Sequence, residues 1–452
     1  MSTKIFLIVM LASLALGQTV VRLSRTATID FYHFWGVTHA LRLTDHKLGS
    51  PYTESRSYGD VLNAYADKSS NAQLKAANRV RRIPDLTGSP LLYASFFFIA
   101  EDYSSSVTVF FLLQVLSFLA SLVLLGFLYR YDKFPMFGIA LVLFISFGPF
   151  QSDLRVGNIS SFQLFALTLL LALAHWLQRD LSSRPKVVLG ALLLTGLSFL
   201  TLLKPTVVVT GILIAVHLWV KHGRRIFAAS AIPAAVLSVL FLIIPCLYFR
   251  SWSIWSDWYD AIHGPIKTRL LYPVELGNFS SPLLLSGLFR ADVFTVAMTM
   301  IVLLAASLVL TVGWGAKSHT LRQPSMTSLF DSLGQVFTDP NRVAAIGITL
   351  TIAAAPLYWN HYYVLSVIPC LWLMSLSPGL NHLGGLGLIA LVMTSGVFDF
   401  FLRQWKWTEV EAGMVAFSWI PLWSAILLQL VPASGSPMRE PARLRSRSRR
   451  KS

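Results

Sequence analysis

Charge is what this chain has least of. Of its 452 residues, 13% are Asp, Glu, Lys or Arg, against about 25% in an ordinary soluble domain. With 55% of the residues hydrophobic, the deficit excludes a soluble enzyme carried on one anchor. Acids are scarcer than bases, 21 against 37, for a net charge of +16. Cysteine is almost missing. Only Cys246 and Cys370 occur, both inside apolar runs, so neither a disulfide framework nor a cysteine metal site is indicated. The chain has no Walker loop, no dinucleotide fingerprint and no zinc motif, which leaves a soluble nucleotide donor without support. No cofactor is expected, and no metal, because an acid without neighbouring carboxylates or a His-rich motif is a poor cation cage.

What is present is long apolar sequence. Runs of roughly 17–25 apolar residues are span candidates. They fall at 4–23, 106–129, 134–150, 159–178, 186–203, 205–220, 226–249, 291–314, 343–358, 361–377, 383–402 and 412–431. The expected fold is therefore all-α and polytopic, with about twelve spans. Lys4 and the small residues Ala15-Leu16-Gly17 resemble a cleavable signal. The apolar run continues to Val21, long enough to span, so an uncleaved first helix is expected. Residues 88–101 are apolar but too short to span, which suits a re-entrant or interfacial segment.

One transmembrane domain, 1–432, precedes a basic tail, 433–452, that ends RLRSRSRRKS. The tail is disordered by composition and suits anionic lipid headgroups. The bases punctuate apolar runs instead of clustering on a soluble domain, which argues against nucleic-acid binding. Short connections rich in Lys and Arg, such as 221–225, belong on the cytoplasmic side together with both termini. Two polar loops, about 24–87 and 250–290, then face outward. Localisation in the plasma (inner) membrane is expected.

The unusual polar residues collect on that outer face. Polar groups at membrane depth are costly and usually mark a site. Asp30, in Ile29-Asp30-Phe31-Tyr32-His33-Phe34-Trp35, follows the first span. It is read as a general base with His33 beside it, or as an N-cap of the helix that follows. Lys204, in Leu203-Lys204-Pro205 between two spans, suits a lipid phosphate, or else snorkels to water. His361, in Trp359-Asn360-His361-Tyr362-Tyr363, suits a phosphate contact, whereas an interfacial aromatic belt explains only its Trp and Tyr neighbours. Asn158, Asp260, Asn278, Trp359 and Asn360 are read as positioning the substrate. Asn158-Ile159-Ser160 and Asn278-Phe279-Ser280 also fit the N-glycosylation pattern. An acid with cations on one face suits transfer from a lipid-phosphate donor: the acid takes an acceptor proton, and the cations stabilise charge on the leaving phosphate.

The order of these segments resembles glycosyltransferase family 87, membrane enzymes of C-type architecture that use polyprenyl-phosphate sugars. The resemblance rests on DFYHFWGVTHAL with Pro51-Tyr52, Gly157-Asn158 with Gln163, LLKPTVV, WYDAIHGP, GNFSSPLLLSGLF and APLYWNHYY. Three departures bear on substrate identity more than on reaction class. They are one proline in Thr87-Gly88-Ser89-Pro90, the altered Val156-Gly157-Asn158, and Ala355 where the family has serine. The resemblance implies that Asp30 is the catalytic acid of the first loop and that His361 lies near the donor phosphate. It implies a mannose- or pentose-type sugar moved to a glycan or glycolipid hydroxyl, among membrane lipids. Inversion is expected because a single displacement needs one base. A second acid would come from Asp260 or Glu275. A transporter or lipid flippase, and a ligase or polymerase of envelope polysaccharide, are the competing readings.

Overall fold

The computed structural model describes Met10, Gly17 and residues 28–80, 86–98, 102–268, 278–319, 332–376, 382–395 and 408–431. The first span apart from Met10 and Gly17, the whole of the tail and Glu275 lie outside them. Every regular element among the described residues is helical. In chain order they are α1 (Ile29–Leu43), α2 (Ser55–Lys68), α3 (Ala72–Val80), α4 (Pro90–Ala94), α5 (Tyr103–Leu128), α6 (Lys133–Ser146), α7 (Gly148–Val156), α8 (Ser160–Leu177) and α9 (Ser183–Leu203). A 3₁₀ turn, Pro205–Val207, leads into α10 (Val208–Tyr248), followed by α11 (Ile254–Thr268), α12 (Ser281–Phe289), α13 (Val293–His319) and α14 (Pro340–Ala354). A 3₁₀ segment, Asn360–Ser366, then runs into α15 (Val367–Ser375), with α16 (His382–Ser395), α17 (Thr408–Ala416) and α18 (Trp419–Leu430) completing the chain.

Among the described residues, six helical stretches are long and apolar enough to cross a membrane, or seven if the bent pair α6–α7 counts as one span. That is fewer than the expected number. Apart from Met10 and Gly17, the first candidate lies outside the described residues. α14 and α16 are only 15 and 14 residues long. α10 has 41 residues, which in a straight helix would reach about 60 Å, twice a bilayer core. Its backbone leaves helical geometry at Gly223, with φ 81° and ψ 164°, so it is two segments joined at that residue.

The stretch expected as one span at 134–150 is instead α6 and α7, bent by 53°. Phe147 is extended at the bend, with ψ 96°, and Pro149 opens α7. Proline lacks the N–H that would continue the helix and crowds the preceding turn. Of the stretch 88–101, residues 88–98 are described, and among them the one helix is the five-residue α4, capped by Ser89.

Large apolar side chains such as Leu116 on α5, Ile232 on α10 and Leu310 on α13 are exposed. Lipid is the solvent that suits them. Aromatics fill the interior around α1, where Trp35 stacks on His39 at 4.3 Å and meets Tyr103 edge-on at 5.1 Å. α1 packs on α2, α3, α4, α5 and α7, while α7 packs on the 3₁₀ segment 360–366. Those contacts bring the first loop and the late 3₁₀ segment to one place.

Candidate active site

Asp30 lies in the first turn of α1, where the positive end of the helix dipole favours an acid. The N-cap position is Thr28, whose Oγ1 lies 2.8 Å from the Tyr103 hydroxyl. The alternative reading of Asp30 as the cap is thereby set aside. Its Oδ2 accepts a 2.6 Å hydrogen bond from Nδ2 of Asn158.

Asn158 reaches Asp30 because α7 ends in a left-handed residue, Gly157, at φ 70°. A Cβ on Gly157 would lie 2.6 Å from the Cβ of Phe31. Only glycine suits both that backbone and that approach. Gln114 Nε2 donates to the Asn158 carbonyl at 2.6 Å, and the Asn158 N–H donates to the Asp153 carbonyl at 3.1 Å. The buried Asp153 carboxylate accepts from Ser160 N at 3.2 Å, Ser161 N at 2.9 Å and Ser161 Oγ at 2.6 Å. It therefore caps α8 from within α7 and clamps the loop between them. Asp153 was not anticipated from the sequence. It lies in the short polar connection Gln151-Ser152-Asp153-Leu154-Arg155 between two expected spans, where an acid beside a base gives no signal of its own.

Lys204 occupies the break between α9 and the 3₁₀ turn, its backbone extended at φ −159° and ψ 119°, as the following proline requires. Only 8% of it is exposed, so it does not snorkel to water. Its Nζ donates to Asn158 Oδ1 at 2.6 Å and sits 3.8 Å above the ring centre of Tyr362, a cation–π distance. Burial pushes the ammonium pKa down to about 7, opposed by the carboxylates of Asp153 and Asp30.

His361 is also buried, and its Nε2 has no hydrogen-bond partner among the described residues. Burial, then the charges of Lys204 and Arg155, hold its imidazole well below the ordinary histidine range. A neutral imidazole has one nitrogen to donate and one to accept. The segment carrying it is tied to the end of the second polar loop. Asn278 Oδ1 accepts from Tyr358 N at 2.9 Å, and Phe279 N donates to the Tyr358 carbonyl at 2.9 Å. Asn278 and Trp359 form an isolated antiparallel bridge. The fully buried Asn278 amide thus braces backbone. The glycosylation reading of Asn158 and Asn278 fails, because both side chains are buried and bonded.

The other expected residues are placed less centrally. His33 is buried on α1, and Trp359 and Asn360 are half-buried. Asp260 is exposed on α11 and makes no hydrogen bond among the described residues. Trp258 Nε1 donates to the Thr87 carbonyl at 3.2 Å, linking the two polar loops. Among the described residues, no group of three His, Cys, Asp or Glu side chains could hold a metal ion.

The profile of glycosyltransferase family 87 matches residues 89–338, more than half of the 452-residue chain. The chain belongs to glycosyltransferase family 87. It is therefore a membrane glycosyltransferase that passes the bilayer several times and takes a donor and an acceptor. No curated protein and no solved structure matches it. The family segment contains Asn158 and Lys204 but neither Asp30 nor His361. Folding joins those two to it, through the Asn158–Asp30 hydrogen bond and through Tyr362 beneath Lys204.

Proposed function

We propose that the protein moves a sugar of mannose or pentose type from a polyprenyl-phosphate donor to a hydroxyl of a glycan or glycolipid. Transfer takes place on the extracytoplasmic face of the plasma membrane, inverts the anomeric carbon and uses Asp30 as general base. The chain crosses about twelve times, with both termini in the cytoplasm. The observation that carries this reading is the contiguous row Asp30, Asn158, Lys204, drawn from three segments and joined by two 2.6 Å hydrogen bonds.

A displacement at a glycosyl phosphate needs an acceptor for the hydroxyl proton and positive or donor groups for the departing phosphate. Asp30 supplies the first. His361, with a buried ring nitrogen that has no hydrogen-bond partner among the described residues, and Lys204, whose ammonium has three N–H groups, supply the second. Trp359, Asn360 and His33 line the approach of sugar and lipid. A transporter or flippase would move the carrier without forming a bond, and family membership favours the transferase.

The test uses purified protein in nanodiscs with a panel of labelled polyprenyl-phosphate hexoses and pentoses. Asp30→Asn keeps the side-chain size but removes the base, and general-base catalysis contributes about 10²–10⁴-fold. Transfer should fall by that factor in a well-folded variant. Near-normal turnover would remove Asp30 as the base.

A further inference from the structure

We infer that Asn158 is a positioning residue, an oriented amide through which Lys204 holds Asp30 ionised and fixed for catalysis. The inference rests on the proposed role of Asp30 and deepens it.

The orientation follows from hydrogen-bond polarity. An ammonium can only donate and an ionised carboxylate can only accept. Asn158 lies between one of each. Its Oδ1 receives Lys204 Nζ at 2.6 Å and the N–H of Ile159 at 2.8 Å, and its Nδ2 gives a hydrogen to Asp30 Oδ2 at 2.6 Å. A flipped amide would set oxygen against oxygen and nitrogen against nitrogen, so the two ends of the row allow one arrangement. The backbone of Asn158 is clamped by Gln114 and by Asp153. The side chain therefore cannot follow Asp30 if Asp30 moves. A hydrogen bond given to a carboxylate favours its charged form, and in a buried site such a network is stronger than in water.

The charged and titratable groups around Asp30 come from several elements. Lys204 and Tyr362 face it electrostatically. Asp153 acts on both of those, and His361 and Arg155 lie beyond Lys204. From α5, Tyr103 bonds Thr28 two residues away. Tyr65 of α2 and Tyr93 of α4 face His39 and Phe34 farther along α1. Asn158 is in direct hydrogen-bond contact with the Asp30 carboxylate, and it is itself uncharged. Its substitution therefore changes the Asp30 environment without deleting a resident charge.

The variant Asn158→Asp isolates the effect. It preserves shape and both Oδ1 contacts, and it adds an ion pair with Lys204. It turns the donor facing Asp30 into a second carboxylate, and two carboxylates so close share a proton. The measurement is an infrared pH titration of the protein in nanodiscs, with the Asp30 carboxyl band assigned by its loss in Asp30→Asn. In Asn158→Asp that band should titrate roughly one to three pH units higher than in the parent. The acid limb of the transfer–pH profile should move with it, and the rate should recover on the alkaline side. Asn158→Ser, which shortens the side chain and cannot bridge Lys204 to Asp30, should move both in the same direction by a smaller amount. It carries the test if Asn158→Asp does not fold.

An unmoved Asp30 band in the folded variants overturns the inference, whether or not the rate falls. A rate lowered equally at every pH would make Asn158 a loop brace only. The base assignment stands or falls separately. If Asp30→Asn retains turnover while the band still shifts, the amide orients Asp30 but Asp30 is not the base.

Discussion

Gly157→Ala tests whether the turn after α7 sets the reacting geometry. The residue has φ 70°, and an added Cβ would meet Phe31 Cβ at 2.6 Å, with Phe31 N and Thr28 Cβ each at 3.3 Å. The left-handed backbone costs an alanine roughly 1–2 kcal/mol. The nearest atom is the Cβ of a buried phenylalanine fixed to a helix, not the tip of a flexible chain. Carbon atoms rest about 3.5–4.0 Å apart, so α1 and the turn must separate by roughly 1 Å. Overpacking of that kind costs typically about 1–3 kcal/mol. The same movement would stretch the Asn158–Asp30 bond from 2.6 Å to about 3.6 Å, beyond hydrogen-bond reach. A misplacement of about 1 Å can cost about 10²-fold in rate. The expected result is a destabilisation of about 2–5 kcal/mol with turnover down about 10²-fold, read by thermal unfolding and by transfer of labelled sugar. Gly223→Ala is the control. Gly223 has φ 81° with nothing within 4 Å of an added Cβ, so backbone strain of about 1–3 kcal/mol is its whole cost, and turnover should hold. Normal turnover in Gly157→Ala, or an equal loss in Gly223→Ala, would refute the reasoning.

Three further outcomes are expected. Lys204→Ala leaves Asp153 buried without its cation, which should destabilise the fold by about 3–5 kcal/mol, and should weaken donor binding more than acceptor binding; an unchanged donor dependence in titrations at fixed acceptor would leave Lys204 with no phosphate role. Asn278→Ala strands the buried N–H of Tyr358, costing about 1–3 kcal/mol, and should raise hydrogen exchange in residues 356–363; unchanged protection there would show that the bridge at Trp359 suffices. Ser57→Cys should react with an impermeant thiol reagent in intact cells and Ser446→Cys should not, and labelling of both would overturn the proposed orientation.

Much of the molecule was legible in the sequence where one physical rule dominates. Long apolar runs gave the helical class and the places of the six long apolar helices, because lipid leaves a backbone few alternatives. The expected runs 205–220 and 226–249 fall on either side of the glycine at which the 41-residue helix breaks. The bend at Phe147 was missed because Pro149 stands one turn inside a run apolar enough to read as continuous. Asp260 was chosen for its place in an aromatic loop, yet the periodicity of α11 turns it outward.

The site shows where such reading stops. Asp30, Lys204 and His361 were each visible because a polar residue at a membrane boundary is expensive and stands out singly. What they do to one another depends on contacts 128 and 46 residues apart along the chain, at Asp30–Asn158 and Asn158–Lys204. Spacing carries no record of such pairs. Asn158 is the sharpest case. By itself it reads as a turn residue, a glycosylation acceptor or a sugar ligand, since each uses the same amide. Only its flanking partners choose among these, one a pure donor and the other a pure acceptor. Asp153 makes the complementary point. In the sequence it is one polar residue of a short connection, and in the fold it both caps α8 and acts electrostatically on Lys204. One buried carboxylate therefore links the start of a helix to the charge at the end of the row. A substitution at Asp153 would disturb fold and site together, which is why Asn158, uncharged and held on both sides, is the better place to separate them.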